Sequence, residues 1–330
     1  MYKICISFQK YNKRKGRYMY NFRTDLALER RDLYKKANNI EKEIDGIETE
    51  EENIEDKIHL SRVKVTNKQG EDAIGKPIGN YITIDIKNLK TSNEDDIQKA
   101  SEVVTKELKN LIYKHIDNKS PVLVVGLGNL YVTPDALGPK VVNEIDITRH
   151  LIEYMPGVLD ESTRPVSAIA PGVLGTTGIE TQEILKGIVD NIKPSLIIII
   201  DALASRSIER ISSSIQLADT GIVPGAGVGN ARKELTEEKL GVPVIAIGIP
   251  TVVEAATIAA DSLTLFIKKV QEQAQSNDFL NQLQEEDKYE MIKEVLSPND
   301  YNFIVTPKEI DELIENMKDI VARGINFAVN

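Results

Sequence analysis

The chain has 330 residues, of which 41% are hydrophobic and 28% are charged, so it can bury a sizeable core as a globular protein. Its formal net charge of −10 argues against direct nucleic-acid binding, and no apolar run approaches the roughly 20 residues that cross a bilayer. The single cysteine, Cys5, excludes an intramolecular disulfide framework and a cysteine-based zinc site. These features favour a protein of a reducing compartment, the cytoplasm.

The N-terminal arm differs in charge from the rest of the chain. Residues 1–25 contain seven basic residues and one acid, a formal charge of +6, which leaves −16 on the remainder. Such an arm is either a disordered tail or a segment attracted to its own acidic body. Further along, residues 41–56 contain nine acids, which predicts a helix or a mobile surface segment.

Two regular elements precede the centre of the chain. Residues 80–86 alternate between polar and apolar residues, as a half-buried strand does. Residues 92–116 place apolar side chains at helical spacing behind Ser92 or Asn93 as a possible N-cap, which predicts a long amphipathic helix.

From residue 121 onward, continuous apolar runs alternate with amphipathic segments. The predicted strands are residues 121–127, 165–172, 194–202, 214–218 and 242–250. The predicted helices are residues 138–154, 178–192 and 251–270, with two C-terminal helices around 289–296 and 307–325. This alternation predicts an α/β fold of three layers, with a largely parallel sheet flanked by helices. We assign residues 26–330 to one domain, with its core at about 80–275 and C-terminal helices at about 277–330.

In such sheets the functional site usually lies at the carboxyl ends of the strands, and the loop at 124–140 leaves one of these ends. Its Gly126 and Gly128 resemble the start of a dinucleotide-binding turn, but Tyr131 stands where a third glycine is needed. The loop instead presents Asp135, which is either a functional carboxylate or the cap of the following helix.

Asp201 follows four isoleucines at the end of the most apolar predicted strand. Partial removal from water raises the pKa of a carboxyl group and destabilises the fold unless a partner compensates. Asp201 is therefore either a functional acid or a buried aspartate satisfied by backbone amides or by Arg206.

A glycine-rich loop follows at residues 219–235, and it fits no phosphate-binding pattern. Glycines of this density let a backbone approach a substrate closely or serve a turn. The weaker candidates for shaping a site are Arg206 and three glycines of this loop, Gly225, Gly227 and Gly229.

The chain has no serine-nucleophile motif, and Cys5 lies in the basic arm far from any histidine. Carboxylates remain, and Asp135 and Asp201 could face one another across neighbouring strands. Such a pair shares a proton, so that one acid activates a water and the other protonates the oxygen or the leaving nitrogen. The same acids could instead hold a divalent metal that activates the water. A third alternative is a binding module without catalytic activity.

Four long segments carry a resemblance to a known family. Residues 126–140, 164–181, 200–235 and 240–258 resemble the germination proteases of spore-forming Firmicutes, and the similarity runs from about Arg23 through the C-terminal tail. The resemblance implies a tetrameric endoprotease made as an inactive zymogen, which degrades small acid-soluble spore proteins in the spore core during germination. It implies an aspartic-type peptidase without a cofactor, whose proposed catalytic pair matches Asp135 and Asp201.

The family fold resembles the hydrogenase-maturation endopeptidases, whose equivalent acids bind nickel, so a metal-dependent endopeptidase is the alternative. The resemblance also implies a propeptide that the enzyme removes from itself as the forming spore interior acidifies. Family cleavage sites have an acidic residue before the cut, then an apolar residue and alanine, which matches Asp25, Leu26 and Ala27. Residues 1–25 are then the propeptide. This leader is longer and more basic than is usual in the family, and both Met1 and Met19 are candidate initiators.

Overall fold

One mixed sheet organises the computed structural model, which describes residues 24–228, 232–273, 289, 292 and 303–330. Its strands are β1 (Ile47–Ile54), β2 (Ile58–Val65), β3 (Gly79–Ile86), β4 (Val122–Gly126), β5 (Val166–Ile169), β6 (Leu196–Ser205), β7 (Ser214–Ala218), β8 (Val244–Glu254) and β9 (Ile304–Val305). Along the sheet the order is β1-β2-β3-β7-β8-β6-β4-β5, and β9 pairs with β8.

The strands β5, β4, β6 and β8 are parallel neighbours, whereas β7, β3, β2 and β1 extend the sheet with antiparallel pairs. The parallel part consists of the strands that the continuous apolar runs predict. In β6, Ile198 and Ile200 belong to the core cluster on one face, while Ile197 and Ile199 belong to the cluster on the other. Burial on both faces explains why this strand has no polar alternation.

Helices cover both faces and complete three layers. They are α1 (Ala27–Ala37), α2 (Lys68–Ile74), α3 (Glu94–Ile112), α4 (Leu137–Val142), α5 (Arg149–Tyr154), α6 (Leu174–Thr177), α7 (Thr181–Ile192), α8 (Glu237–Leu240), α9 (Ala255–Gln273) and α10 (Ile310–Val329). The layer of α3, α4 and α10 packs on one face, and α1, α2, α7 and α8 contribute to the clusters on the opposite face. The predicted α/β fold with a largely parallel sheet flanked by helices is confirmed.

Of the two predicted N-caps of the long helix, Ser92 and Asn93, the structure shows Asn93. Its side chain accepts a hydrogen bond from the amide of Asp96 at 2.9 Å, and the Asp96 carboxylate accepts one from the amide of Asn93. This reciprocal capping satisfies two amides that the first helical turn leaves without partners. The helix that follows buries its apolar face, including Val104 and Leu108, against the sheet and α10.

The prediction of a helix or mobile segment at 41–56 was wrong, because residues 47–54 form β1 at the edge of the sheet. Their acids are exposed there, and they pair across strands with bases of β2: Glu52 contacts Arg62 at 3.3 Å and Glu48 contacts Lys64 at 3.5 Å. An edge strand needs little apolar surface, and charged side chains protect it from pairing with another chain. A high acid content therefore did not identify the element.

The predicted helix at 138–154 is divided into α4 and α5. Between them the chain bends back to the sheet, where the amide of Thr148 donates to the carbonyl of Val166 at 3.1 Å. The predicted strand at 242–250 continues to Glu254, and the C-terminal helix is confirmed as α10. The predicted arm before Thr24 and most of the predicted helix at 289–296 lie outside the described residues.

No helix in the described part of the chain combines the length and the apolar character that crossing a membrane requires.

Candidate active site

Asp135 lies in the loop that leaves β4, and a glycine allows this loop to fold back. Gly128 has φ +116°, and a Cβ atom there would lie 2.0 Å from the carbonyl oxygen of Asp135. The amide of Asn129 donates to Oδ2 of Asp135 at 2.8 Å. Asp135 ends a short helical turn, and α4 begins behind Ala136 without a side-chain cap. The alternative of Asp135 as a helix cap is therefore not what the structure shows.

Asp201 lies on β6 and only 5% of its surface is exposed. Burial raises the pKa of Asp201 well above its ordinary value, and the negative charges of Asp135 and Asp25 raise it further. A hydrogen bond from the amide of Ala202 to Oδ1, at 3.0 Å, opposes this shift. Asp201 is thus an acid that the fold favours in the protonated form.

Asp135 is half-buried, and burial also raises the pKa of its carboxyl group. The hydrogen bond from Asn129 favours its ionised form and offsets part of this shift. Of the two acids, Asp201 therefore holds its proton more strongly. Two neighbouring carboxyl groups with unequal proton affinity can divide the roles of base and acid.

Arg206 directly follows β6. Its guanidinium group binds Asp261, with Nη1 and Oδ2 separated by 2.7 Å. Its amide donates to the buried carboxylate of Glu29 at 2.8 Å. Arg206 therefore belongs to the junction between the end of β6 and α1.

The segment around Asp25 crosses this site. The amide of Asp25 donates to the carbonyl of Ala204 at 3.0 Å, and the amide of Ala204 donates to Oδ2 of Asp25 at 3.0 Å. Ala204 follows a β-bulge in the pairing of β6 with β8, where the regular ladder is interrupted. On the other side, the carbonyl of Asp25 accepts a hydrogen bond from Nε2 of Gln216 on β7 at 3.4 Å.

Asp201 and Gln216 occupy one row of the sheet, because both are the register partners of Gly248 on the strand between them. Residues of one row point to the same face. Gly248 leaves room for the side chain of Leu203, since a Cβ atom there would lie 2.2 Å from its Cδ1. The main chain of Asp25 is bonded to Ala204 of β6 on one side and to the side chain of Gln216, a member of this row, on the other.

The carboxylate of Asp25 enters a tight, basic pocket. A Cβ atom on Gly227 would lie 2.1 Å from Oδ2 of Asp25, so only glycine leaves room for the carboxylate. Burial raises the pKa of Asp25, and the positive charges of Lys76 and Arg30 together with hydrogen bonds from the amides of Ala204 and Gly227 offset part of the shift. Burial in turn lowers the pKa of Lys76 to about 8.

The residues after Asp25 are part of the core. Leu26 and Ala27 are 0% exposed, and the amide of Ala27 donates to Oε1 of Gln216 at 2.7 Å. Glu29 fixes the start of α1, because its carboxylate accepts hydrogen bonds from Arg206 and Ser207 at the end of β6. The chain is therefore anchored on both sides of the Asp25–Leu26 bond.

Of the predicted site residues, Asp135 and Asp25 lie close enough to Asp201 for their charges to raise its pKa, and Gly227 lies against the carboxylate of Asp25. Gly225 lies two residues before Gly227 and has φ +71°, and Gly229 lies outside the described residues.

Sequence reasoning missed Gln216, Lys76 and Arg30. A polar residue in the middle of an apolar strand was the signal for Gln216, whereas Lys76 and Arg30 had none.

Neighbouring carboxyl groups of unequal proton affinity, one of them close to a peptide segment that is held on both sides, are groups that a peptidase site could use as acid and base. Comparison with known sequences agrees with this class. The family model of the germination proteases matches residues 25–280 and 269–330. The chain belongs to the germination protease family, and it is a protease rather than a binding module without catalytic activity.

Curated relatives cover nearly the whole chain. A germination protease of Clostridium perfringens is 50% identical over 315 residues, which are 94% of this chain and 96% of the relative. One from Caldanaerobacter subterraneus subsp. tengcongensis is 52% identical over 313 residues, 93% of this chain and 94% of the relative. One from Priestia megaterium is 42% identical over an alignment of 351 positions, which covers 94% of each chain.

Among solved structures, a NiFe hydrogenase maturation protease of Thermococcus kodakarensis is similar to part of the chain. The match has 20% identity and a TM-score of 0.27, and it covers 42% of this chain and 78% of that one.

Proposed function

We propose that the chain is an endoprotease of the aspartic type, made as a zymogen that cuts its own Asp25–Leu26 bond and then acts on small acid-soluble spore proteins. The observation that carries this proposal is the position of that bond. Before the bond, Asp25 is hydrogen-bonded to Ala204 on β6, and after the bond, Ala27 is hydrogen-bonded to Gln216 on β7. Asp25 also lies close enough to Asp201 to raise the pKa of that acid. The spore proteins as substrates, a homotetrameric assembly and location in the spore core are supported by family membership.

The difference between the two acids assigns their roles in the proposed reaction. Asp135, which holds its proton less strongly, takes a proton from the attacking water. Asp201, which is nearly fully buried and favoured in the protonated form, gives a proton to the leaving nitrogen of Leu26. The carbonyl oxygen of Asp25 is bound from β7, on the side away from the strand that carries Asp201. This arrangement supports the nitrogen, rather than the oxygen, as the group that Asp201 protonates.

The burial of the segment suggests which product leaves. Leu26, Ala27 and Leu28 are at most 4% exposed and belong to the packed core, so the fragment that begins at Leu26 stays in place. The arm that ends at Asp25 is held by two hydrogen bonds to Ala204 and by the basic pocket. Its release would free the position that Asp25 occupies, so that the acidic residue of a separate substrate molecule could bind there.

The direct test is the cleavage of the purified full-length chain, followed by mass spectrometry of the products over time. Asp135→Asn and Asp201→Asn should each slow the appearance of the fragment beginning at Leu26 by about 10²–10⁴-fold, the usual contribution of an acid or base. Asp190→Asn, on the exposed face of α7, is the matched control. Cleavage at the wild-type rate in either site variant would contradict the proposal.

The metal-dependent alternative is tested in the same assay. Among the described residues, no three His, Cys, Asp or Glu side chains form a group that could hold a metal ion. Two acids alone are a small donor set for a divalent metal. Treatment with a chelator should leave self-cleavage unchanged, whereas loss of cleavage and its recovery on adding back a divalent metal would favour the metal-dependent reaction.

A further inference from the structure

The side-chain amide of Gln216 spans the Asp25–Leu26 bond. Its Nε2 donates to the carbonyl oxygen of Asp25 at 3.4 Å, and its Oε1 accepts from the amide of Ala27 at 2.7 Å. Because an amide N–H only donates and a carbonyl only accepts, these two contacts determine which end of the Gln216 amide carries the oxygen. One side chain thus binds the chain on both sides of the peptide bond.

The surroundings of Gln216 make this contact specific. Gln216 is 6% exposed and lies on β7 between two apolar residues, Ile215 and Leu217, which are fully buried. Burying an amide in such a strand is unfavourable unless its hydrogen bonds are made. The segment at 25–27 supplies both partners, and Asp201 lies in the same row of the sheet, two strands away.

We propose that Gln216 is a further catalytic residue, whose Nε2–H group stabilises the negative charge that develops on the carbonyl oxygen of Asp25. The inference rests on the proposed self-cleavage and assigns a role within the same site. When water adds to the carbonyl carbon, the C–O bond forms, a water proton passes to Asp135, and the carbonyl electron pair moves to the oxygen that Gln216 binds. When that pair returns, the C–N bond breaks and the nitrogen of Leu26 takes the proton of Asp201.

The geometry favours a contribution to the transition state. A separation of 3.4 Å is long for a hydrogen bond, so the donor binds the neutral carbonyl only weakly. An interaction accelerates the reaction as far as it is stronger in the transition state than in the ground state. A fixed donor removed from water binds a developing oxyanion much more strongly than it binds a carbonyl.

Gln216 could instead serve only as an anchor for α1 through the amide of Ala27. Two substitutions separate the roles. Gln216→Glu, assayed at a pH at which the new carboxyl group is ionised, keeps an oxygen that accepts from Ala27 and removes the donor to Asp25, whereas Gln216→Met removes both. The matched control is Gln182→Met, because Nε2 of Gln182 also donates to a backbone carbonyl, that of Glu234 at 2.6 Å, but outside the site.

The test measures the first-order rate at which the full-length chain produces the fragment beginning at Leu26, together with the thermal unfolding midpoint of each variant. Removal of one donor to an oxyanion usually lowers the rate about 10²–10³-fold. We expect a loss of this size in both Gln216→Glu and Gln216→Met, and the wild-type rate in Gln182→Met. Gln216→Glu retains the hydrogen bond to the amide of Ala27, so it still tests the inference if Gln216→Met does not fold.

The outcomes are distinct. Self-cleavage of Gln216→Glu within about threefold of the wild-type rate, with slow cleavage in Gln216→Met, would show that Gln216 is only an anchor and would overturn the inference. A wild-type chain that never cuts at Asp25–Leu26 would instead contradict the proposed function. A wild-type rate in both Gln216 variants would overturn the inference and leave the roles of Asp135 and Asp201 standing.

Discussion

Asp25 and Ala204 exchange two hydrogen bonds. The amide of Asp25 donates to the carbonyl of Ala204, the amide of Ala204 donates to the carboxylate of Asp25, and both distances are 3.0 Å. One of the two acceptors is the carboxylate side chain of Asp25, so the contact depends on the side chain at position 25 as well as on the backbone. Its specificity for a carboxylate is open to direct tests.

The first prediction concerns the space for that carboxylate. Gly227→Ala would place a Cβ atom where Oδ2 of Asp25 now lies, since the two positions are 2.1 Å apart. We expect self-cleavage to slow by about 10–100-fold, because the displaced carboxylate of Asp25 would lose a hydrogen bond, and a hydrogen bond to a charged group contributes about 1.5–3 kcal/mol. Gly175→Ala is the control, since nothing lies within 4 Å of a Cβ atom there. Equal rates in the two variants would show that the pocket does not position Asp25.

The strands of the parallel core could be predicted from the sequence because burial on both faces leaves continuous apolar runs, as in β6. The acidic edge strand β1 could not, since an exposed strand and an exposed helix have the same composition. Asp201 could be singled out because an acid directly after four isoleucines is unusual, and Asp135 because it is the acid of the loop that leaves the apolar strand β4. Lys76 could not, because its position beside Asp25 depends on how the end of α2 packs against α1.

Gln216 shows a second limit of sequence reasoning. The strand that contains it was predicted, and its polar residue was visible, but its nearness to Asp201 depends on strand order. β7 is antiparallel and lies next to β8, which separates it from β6. A prediction of consecutive parallel strands does not place β7 next to β8. The row that contains both residues follows only from the register.

The second prediction is a pH-dependent gain of stability in Asp201→Asn. The pKa of Asp201 is raised in the folded protein, so between its ordinary value of 3.8 and the raised value the folded state binds more protons than the unfolded state. The free energy of unfolding therefore falls as the pH rises through this window. Asparagine removes this effect, so the variant should unfold at a higher temperature than the wild type at pH 7.

The control for this prediction is the same pair of proteins at about pH 3, below the ordinary Asp pKa of 3.8, where the advantage of Asp201→Asn should largely disappear because the Asp201 carboxyl group is then mostly protonated in both states. Chemical or thermal unfolding followed by circular dichroism measures both values. An advantage that is equal at both pH values would show that charge burial is not its cause.

The third prediction concerns the junction of α1 with β6. Glu29 is 7% exposed and accepts hydrogen bonds from the amides of Arg206 and Ser207 and from the hydroxyl of Thr24. Glu29→Ala leaves these donors without their acceptor, which costs about 1–3 kcal/mol for each buried group that stays unpaired. We expect a lower free energy of unfolding in urea titrations and slower self-cleavage. Glu48→Ala, on the exposed edge strand, should change stability by less than about 0.5 kcal/mol.

The last prediction separates stability from function at Lys76. Burial lowers its pKa to about 8, so the folded state binds fewer protons than the unfolded state between about 8 and the ordinary value of 10.5. The unfavourable charge is therefore present below pH 8, and the free energy of unfolding rises as the pH increases through this window. Lys76→Met should accordingly be more stable than the wild type at pH 7, by up to about 3 kcal/mol.

The same substitution should slow self-cleavage, because Lys76 is the strongest charge that favours the ionised form of Asp25. Asp25→Asn needs no cation, so combining it with Lys76→Met should add little to the loss caused by Asp25→Asn alone. Rates from mass spectrometry and midpoints from thermal unfolding at pH 7 and 10 measure both effects. A variant that loses stability at pH 7, or that cuts itself faster than the wild type, would show that Lys76 does not serve the carboxylate of Asp25.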